Sequence, residues 1–391
     1  LLQDTTTLNF TGQKEREDIG PINHEKHLGL LLHPLLAVTP ERLCLGVLDT
    51  YHWAREKVHH RTAREKSRDN HKTPLEEKES YRWLKGYRKA NEVALQVPET
   101  MVITVADREA DIYDLYHEAQ HAYSPQENKG AYWLIRSSSN RRILNNNGKP
   151  DNEKLIEKTK KTSPLCSITF EMPAKEKQIG RVVTQNLYAT ELTLCPPDRK
   201  RKLSTKYGDK TVTVTVVIAE ETNPPEGQEP LEWVLLTNVK INNATDAHNI
   251  LKWYLCRWQI EVYFRILKSG CRIEKLQINE KQRFDPCLAF YMIIAWRILY
   301  LTVLSRECPD INCELIFSTE EWHMAHIIIK KEPPPDKPPS LQVIVNRIAS
   351  IGGYLNRKND PEPGPTTLWI GLQRLRDFLG AKQALSNITY G

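Results

Sequence analysis

Short apolar runs alternate with helical patterns over the first 140 residues. The apolar runs are rich in β-branched residues and leucine, and residues typical of turns border them, as expected for strands of one sheet. The pattern predicts strands after Asp4, at 27–38, at 42–53 and at 130–139, and a helix at 76–95. The run 99–120 begins as a strand and changes to helical spacing after Ala106 and Asp107. This part of the chain therefore reads as α/β.

Residues 141–240 differ from the part before them. Alternating runs such as TVTVTVVIAEE and EWVLLTN, separated by turns and basic clusters, predict an antiparallel β insertion. Helical patterns resume near 245, and the proline-rich run 330–339 predicts a stiff linker. The chain is thus divided into a first core segment at 1–140, the insertion at 141–240, a second core segment at 241–285 and a helical region at 286–391.

The segment WYLCRWQIEVYFRILK, residues 253–268, has the spacing of one helix with an unusual charge distribution. At 100° per residue, six residues fall in a stripe about 100° wide, and five of them are polar or charged. Apolar side chains cover most of the remaining surface, with Gln259 as the one strongly polar exception. The stripe contains Tyr254, Arg257, Trp258, Glu261, Arg265 and Lys268. Surface ion pairs worth about 0.2–0.5 kcal/mol each are one interpretation. The apolar surroundings favour another, in which Glu261 is a metal ligand among phosphate-binding cations.

Composition narrows the class of protein only slightly. The chain has 391 residues, 40% of them hydrophobic and 27% charged, with a net charge of +6. That surplus allows a polyanionic partner without requiring one. No uninterrupted run of 18 apolar residues predicts a membrane span, and the first residues do not resemble a signal peptide. The eight cysteines are scattered without a zinc-like spacing, which fits a reducing cytoplasm.

Several aspartates are candidates for chemistry. Asp107 ends an apolar run, and the carboxyl ends of strands are where α/β proteins place functional groups. Asp111, one turn further on, is its rival, and either residue could simply cap the helix that follows. Asp4 lies in an extended threonine-rich run and Asp49 at the end of another apolar run, and each could be an ordinary turn residue.

Together with Glu261, two of these aspartates would supply carboxylates from three distant parts of the sequence. Hard cations such as Mg²⁺ prefer carboxylate oxygens and leave positions for water and phosphate. Two such ions about 3.5–4 Å apart can assist an in-line phosphoryl transfer. The cations beside Glu261 would then hold phosphates of a nucleic acid strand.

The motifs resemble those of the insertion-sequence-four family of DDE transposases, the family that includes transposon five. Tyr254, Arg257, Glu261 and Lys268 have the spacing of its Y-R-E-K signature. QDTTTL and DREADI are similar to the strands that bear its first two acidic residues, and PPEGQEPLEWVLLTN and RWQIEVYFRILKSG to the segments around its glutamate. IASIGGYLNRK and LQRLRDFLGAK resemble its C-terminal dimerisation region.

The resemblance implies a ribonuclease-H-like core, in which helices flank a mixed sheet, interrupted by an antiparallel β insertion and followed by a C-terminal helical region. It implies that Asp4, Asp107 and Glu261 converge as catalytic residues that bind two Mg²⁺ ions, for which Mn²⁺ could substitute, and it removes Asp49 from the candidates. It also implies a DNA-binding set in which the Trp233 ring stacks on a flipped base. That set consists of Arg136, Trp233, Tyr254, Arg257, Trp258, Arg265 and Lys268.

The implied function is cut-and-paste transposition of double-stranded DNA by a homodimer in a synaptic complex, in a bacterial cytoplasm in association with the nucleoid. The family has an N-terminal DNA-binding domain, whereas here three residues precede Asp4. We therefore expect poor recognition of specific ends, with the basic runs 55–72 and 198–202 binding DNA of any sequence. The alternative is a non-catalytic inhibitor that pairs with a full-length transposase.

Overall fold

A computed structural model of the chain describes residues 1–13, 16, 18–22, 26–56, 73–123, 130–172, 180–197 and 211–386. The strands are β1 Leu2–Gln3, β2 Thr6–Asn9, β3 Gly20–Pro21, β4 Leu28–Val38, β5 Cys44–Trp53, β6 Ile103–Ala106, β7 Tyr132–Arg136, β8 Arg142–Leu144, β9 Pro150–Lys154, β10 Cys166–Met172, β11 Arg181–Leu194, β12 Val212–Glu221 and β13 Glu232–Thr237. The helices are α1 Tyr81–Gln96, α2 Tyr113–Ala122, α3 Leu155–Lys160, α4 Ala244–Leu255, α5 Trp258–Arg265, α6 Lys281–Glu307, α7 Thr319–Lys330, α8 Leu341–Ile351 and α9 Pro365–Ser386.

The chain is divided into two compact units. Unit 1 comprises residues 1–4, 33–35 and 58–257, and unit 2 comprises residues 5–32, 36–57 and 258–391.

Unit 1 is built on a mixed sheet. Strands β1, β6 and β7 are adjacent and parallel, and β13, β12 and β11 continue the sheet in antiparallel order. Large aromatic side chains of α1, α2 and β7 form much of the core, among them Trp83, Tyr116 and Trp133. Tyr116 and Trp133 stack with their ring centroids 4.4 Å apart. Burial of such rings is a major source of stability, and it fixes helices on one face of the sheet.

The predicted antiparallel β insertion consists mainly of β10–β13. β11 pairs with β10 along one edge and with β12 along the other, and β12 pairs in turn with β13. The alternating pattern of β11 puts Val183 and Leu187 in the core. The predicted α/β fold class, with its mixed sheet, β insertion and C-terminal helices, is confirmed. The short helix α3 was not predicted, because its six residues are too few to show a helical period.

Unit 2 contains β2, β3, β5, most of β4 and the helices α5–α9. In it, β2 and β3 pair antiparallel with β4, and β5 also pairs with β4. Helix α6 is long and apolar enough to cross a membrane by length and composition alone. It packs instead against β5, α8 and α9, and the Trp296 indole N–H donates to the carbonyl of Cys44 at 2.8 Å. These contacts bury part of its apolar surface, while Phe290 and Ile293 remain exposed.

The prediction of one continuous helix over 253–268 is wrong. Helix α4 ends at Leu255, and the N–H groups of Cys256 and Arg257 donate to carbonyls three residues back, at 3.1 and 3.0 Å. Helix α5 begins at Trp258, and a π-helical turn spans Ile266–Gly270. A projection at 100° per residue does not hold across a turn or a π-helical segment, so the predicted stripe loses the assumption of one continuous helix on which it was based.

One of the domain boundaries predicted from the sequence lies within a helix. The division between 285 and 286 falls inside α6, which begins at Lys281 and continues through Pro286. Pro286 is the sixth residue of α6, so the helix lacks the hydrogen bond that an N–H at this position would make to the carbonyl of Gln282.

Helices α8 and α9 approach closely at two glycines, which yields a stability prediction. A Cβ added at Gly371 would overlap the carbonyl oxygen of Ile348, and one at Gly352 would overlap that of Thr367. We expect Gly371→Ala to lower the free energy of unfolding by about 2 kcal/mol or more, because backbone atoms must separate. Chemical denaturation of the purified variant measures the change.

Gly380 in the same helix is the matched control. A Cβ there meets nothing within 4 Å, so Gly380→Ala should be neutral or stabilise by up to about 1 kcal/mol through helix propensity. Equal effects of the two substitutions would contradict the assigned contact between α8 and α9.

Candidate functional site

Three polar residues lie at the carboxyl ends of three adjacent parallel strands of unit 1. Leu2 of β1 lies opposite Val105 of β6, so the same register continued by two residues sets Asp4 opposite Asp107. Ala106 lies opposite Ile135 of β7, which sets Asp107 opposite Arg136 in the same way. Neighbouring strands lie about 4.8 Å apart. The sheet therefore aligns two carboxylates and a guanidinium in one row at the carboxyl ends of these strands.

Asp107 ends β6 and begins the next turn. Its carboxylate accepts the N–H of Glu109 at 2.9 Å and so caps the 3-10 turn Arg108–Ala110. The predicted capping role of Asp107 is thus confirmed for this 3-10 turn. The side chain is nevertheless only half-buried at the strand end. Capping and a functional role are compatible, because a carboxylate has several acceptor positions.

The end of α4 brings further predicted residues to this row. The Arg257 guanidinium donates to the Asp4 carboxylate at 3.2 Å, and the Tyr254 hydroxyl forms a hydrogen bond with Arg136. The half-buried Trp233 ring meets the Tyr254 ring edge to face, with centroids 5.7 Å apart. Unit 1 thus brings together Asp4, Asp107, Arg136, Trp233, Tyr254 and Arg257.

The electrostatics of this group favour an anion. Burial lowers the pKa of Arg136, and the neighbouring Arg108 and Arg257 lower it further. Burial raises the pKa of Tyr254, which stays protonated and able to donate. Three guanidinium groups that repel one another are stabilised when a phosphate lies between them. Arg108 was not singled out in the sequence, although its position directly after Asp107 was a usable signal.

A buried histidine supports the Asp4 strand. Gln3 donates its amide to the Thr104 hydroxyl at 2.6 Å, and its amide oxygen lies 3.2 Å from Nε2 of His33. His33 also forms a hydrogen bond with the backbone of Asp4. Burial, and then the charge of Arg82, lower the pKa of His33 to about 3. His33 was not predicted as a functional residue, because its only signal in the sequence is its place inside the apolar run LLLHPLL.

Asp111 has a different environment from Asp107. Its carboxylate is buried and accepts hydrogen bonds from the Tyr116 hydroxyl at 2.7 Å and from Nε of Arg141 at 2.8 Å. Of the two aspartates in DREADI, Asp107 therefore lies in the row at the strand ends and Asp111 lies in an internal network.

The remaining predicted residues belong to unit 2. Glu261 is half-buried in the first turn of α5, where Trp258 is 57% exposed and Arg265 is exposed as well. Lys268 lies in the π-helical turn, and its ammonium group is 3.8 Å from the carboxylate of Glu274. The convergence of Glu261 with the two aspartates stays a prediction, as do the DNA contacts of this helix.

The predicted basic DNA-binding runs lie largely outside the described residues. These are residues 57–72 of the first run and all of 198–202. Their roles stay predictions as well. Asp49, which the resemblance removed from the candidates, lies exposed on β5.

The donor atoms suit a hard divalent cation. Asp4 and Asp107 present carboxylate oxygens, which Mg²⁺ and Mn²⁺ accept as ligands. Within the described ranges, no three His, Cys, Asp or Glu side chains are grouped closely enough to hold a metal ion. An ion bound by the two aspartates would therefore need further ligands, and water and phosphate oxygens are the ones that Mg²⁺ commonly retains.

Comparison with known families gives two adjoining matches. A family model described as Transposase DDE domain matches residues 88–294, just over half of the chain. A second, described as Transposase Tn5 dimerisation domain, matches residues 293–390. The first range includes Asp107, Arg136, Trp233, Tyr254, Arg257 and Glu261, and the second includes α7, α8 and α9.

The buried histidine predicts sensitivity to acid. Because its pKa is about 3 in the folded protein and about 6.5 when unfolded, the unfolded state alone binds the proton between these values. The contribution of His33 to stability is complete above pH 6.5 and should be lost as the pH falls toward 3, by up to about 1.4 kcal/mol per pH unit. Denaturation of wild type and His33→Asn across this range measures it. A slope that is the same in both proteins would contradict the assignment.

Proposed function

The chain belongs to the transposase DDE domain family, and from that premise we propose that it is a cut-and-paste DNA transposase of the insertion-sequence-four type. It cleaves and joins double-stranded DNA by metal-dependent phosphoryl transfer. The observation that supports this most directly is the row of Asp4, Asp107 and Arg136 at three adjacent strand ends. A carboxylate pair beside several guanidinium groups suits a cation and a phosphate at the same time.

Each residue of the row has a proposed part in the reaction. Asp4 and Asp107 would hold divalent cations, with Mg²⁺ as the expected metal and Mn²⁺ as a substitute. When bound, such ions supply Lewis acidity, which makes water a better nucleophile and stabilises charge on the leaving oxygen. Arg136 and Arg257 would hold the phosphates on either side of the scissile bond by charge-assisted hydrogen bonds. Glu261 is proposed as the third carboxylate.

The proposed steps require only phosphoryl exchange. Water attacks a phosphodiester at the transposon end, the bond from phosphorus to the 3′ oxygen breaks, and that oxygen leaves as a hydroxyl after it takes a proton. The new 3′-hydroxyl then attacks a phosphodiester of the opposite strand, whose flanking 3′ oxygen leaves as a hydroxyl, and the transposon end closes as a hairpin. A second water breaks the hairpin phosphodiester and restores the 3′-hydroxyl. That hydroxyl attacks a phosphodiester of target DNA, from which the target 3′ oxygen leaves as a hydroxyl. No oxidant, reductant or energy source is needed, because each bond formed replaces one of the same type.

Aromatic and basic side chains would bind the distorted DNA and stabilise its extruded base. A hairpin requires a sharply bent strand, and a base extruded from the stack can be stabilised by an aromatic ring. Trp233 would provide that ring, with Tyr254 fixing its edge. Trp258, Arg265 and Lys268 of unit 2 are proposed to contact DNA as well.

The second family match supports a homodimer. We propose that two protomers hold two transposon ends in a synaptic complex. The proposed location is the bacterial cytoplasm, in contact with the nucleoid.

Alanine at the proposed metal ligands should abolish cleavage and leave DNA binding nearly intact. We expect Asp4→Ala, Asp107→Ala and Glu261→Ala each to reduce nicking of supercoiled DNA in Mg²⁺ or Mn²⁺ to background, because a missing ligand prevents productive metal binding. Removal of the metal by a chelator should do the same to wild type. Gel electrophoresis measures nicking, and retardation of a labelled duplex measures binding.

Asp49→Ala is the control, since it removes an exposed aspartate of unit 2 that has no proposed role. Full nicking activity in any of the three variants would exclude that residue as a ligand. A wild-type protein that binds DNA and dimerises but never nicks would favour the inhibitor over the enzyme.

Substitution of Trp233 should slow hairpin formation more than it slows nicking. Loss of its ring removes a stacking partner that a flipped base needs, so Trp233→Ala should slow hairpin formation about tenfold or more. Nicking should change much less. A time course with a nicked duplex isolates the hairpin step. Equal losses at both steps would indicate general destabilisation and contradict the stacking role.

A further inference from the structure

The side chain of Asp111 is completely buried and makes an unusual number of hydrogen bonds. Its Oδ1 accepts from the Tyr116 hydroxyl at 2.7 Å and from Nε of Arg141 at 2.8 Å. Its Oδ2 accepts from the Ser138 N–H at 2.7 Å, the Ser138 hydroxyl at 2.8 Å and the Ser137 hydroxyl at 3.3 Å. A buried carboxylate is costly unless its charge is paired and its acceptor positions are filled, and here both conditions are met.

The network joins two connections that leave neighbouring strands. One is the 3-10 turn after β6, which Asp107 begins and Asp111 ends. The other is the segment after β7, where the Ser137 N–H makes a ladder bond to Val234 at 2.8 Å and Ser138 turns to Asp111. Arg141 returns to the same point and donates to the backbone carbonyl of Asp111 at 2.6 Å. One carboxylate thus ties together the two turns that follow Asp107 and Arg136.

We propose that Asp111 is a positioning residue, which acts on DNA through Arg136 by fixing the segment after β7 against the turn after β6. The inference rests on the proposed function, because it concerns how the phosphate-binding guanidinium is held beside the Asp107 carboxylate. Asp111 itself touches neither metal nor DNA. A group that only stabilised unit 1 would affect folding without acting through Arg136.

Asparagine is the informative substitution at this position. It keeps the size of the side chain but replaces one acceptor oxygen with a donor. That donor must face either the Ser138 N–H or the Arg141 guanidinium, neither of which can accept a hydrogen bond. At least one of the two connections should therefore be released.

A double-mutant cycle with Arg136 tests the coupling. We measure the affinity for a fluorescently labelled duplex of arbitrary sequence, by anisotropy at several salt concentrations, for wild type, Asp111→Asn, Arg136→Ala and the double variant. Asp111→Asn should weaken binding on the order of tenfold in the wild-type background and hardly at all in the Arg136→Ala background. It should also reduce the salt slope by about one phosphate contact, as Arg136→Ala does.

Glu221→Gln is a matched control. Glu221 is a similarly buried carboxylate of unit 1 that accepts from Arg181 at 2.7 Å and from the Leu231 N–H at 2.9 Å. Its substitution should lower stability without changing the salt slope. Ser138→Ala, which removes one hydroxyl and leaves the backbone bond, provides a milder variant if Asp111→Asn does not fold, and it should weaken binding in the wild-type background only.

Additive effects of Asp111→Asn and Arg136→Ala, or an equal loss of affinity with Glu221→Gln, would overturn the inference. Failure of the proposed function has a different signature. In that case the wild-type protein would bind the duplex and never nick DNA in Mg²⁺ or Mn²⁺, while the cycle would still report whether Asp111 acts through Arg136.

Discussion

The parallel register of β1, β6 and β7 is the constraint on which the candidate site depends. It sets Asp4, Asp107 and Arg136 side by side, although 103 and 29 residues separate them along the chain. A shift by one residue would turn each side chain to the opposite face, because side chains alternate along a strand. The hydrogen bond from Gln3 to Thr104 gives the two-residue strand β1 a side-chain contact that reinforces this register.

The row brings charged side chains close together, and their repulsion is offset by ion pairs and hydrogen bonds within unit 1. The two aspartates, with an arginine against Asp4, keep the site close to neutral while two more guanidinium groups remain nearby. Beneath the row, the side chains of His33 and Asp111 have hydrogen-bond partners within the protein. The site therefore combines a partly exposed edge with an ordered interior, an arrangement that suits a charged and bulky substrate.

The local pattern of apolar and polar residues was sufficient to predict part of the fold and of the candidate site. The strands β4, β5, β6 and β7, the β insertion and Asp107 at a strand end follow from apolar runs and their borders, and the structure contains them. Contacts between distant segments leave no such pattern, so the roles of His33 and Arg141 were not foreseen. The helix over 253–268 was wrong because apolar spacing alone does not register the break after Leu255. Glu261 and its neighbours in α5 remain predictions from the resemblance.

Helix α6 has a consequence for how the protein is made. The buried part of its apolar surface is covered by β5, which precedes it in the sequence, and by α8 and α9, which are synthesised later. Until residue 386 has left the ribosome, the cover provided by α9 is incomplete. During that interval the nascent chain displays a long apolar helix that chaperones, or the machinery that inserts membrane proteins, could engage. Asp285 and Arg297 interrupt its apolar sequence, and charges at such positions make both aggregation and membrane insertion less favourable.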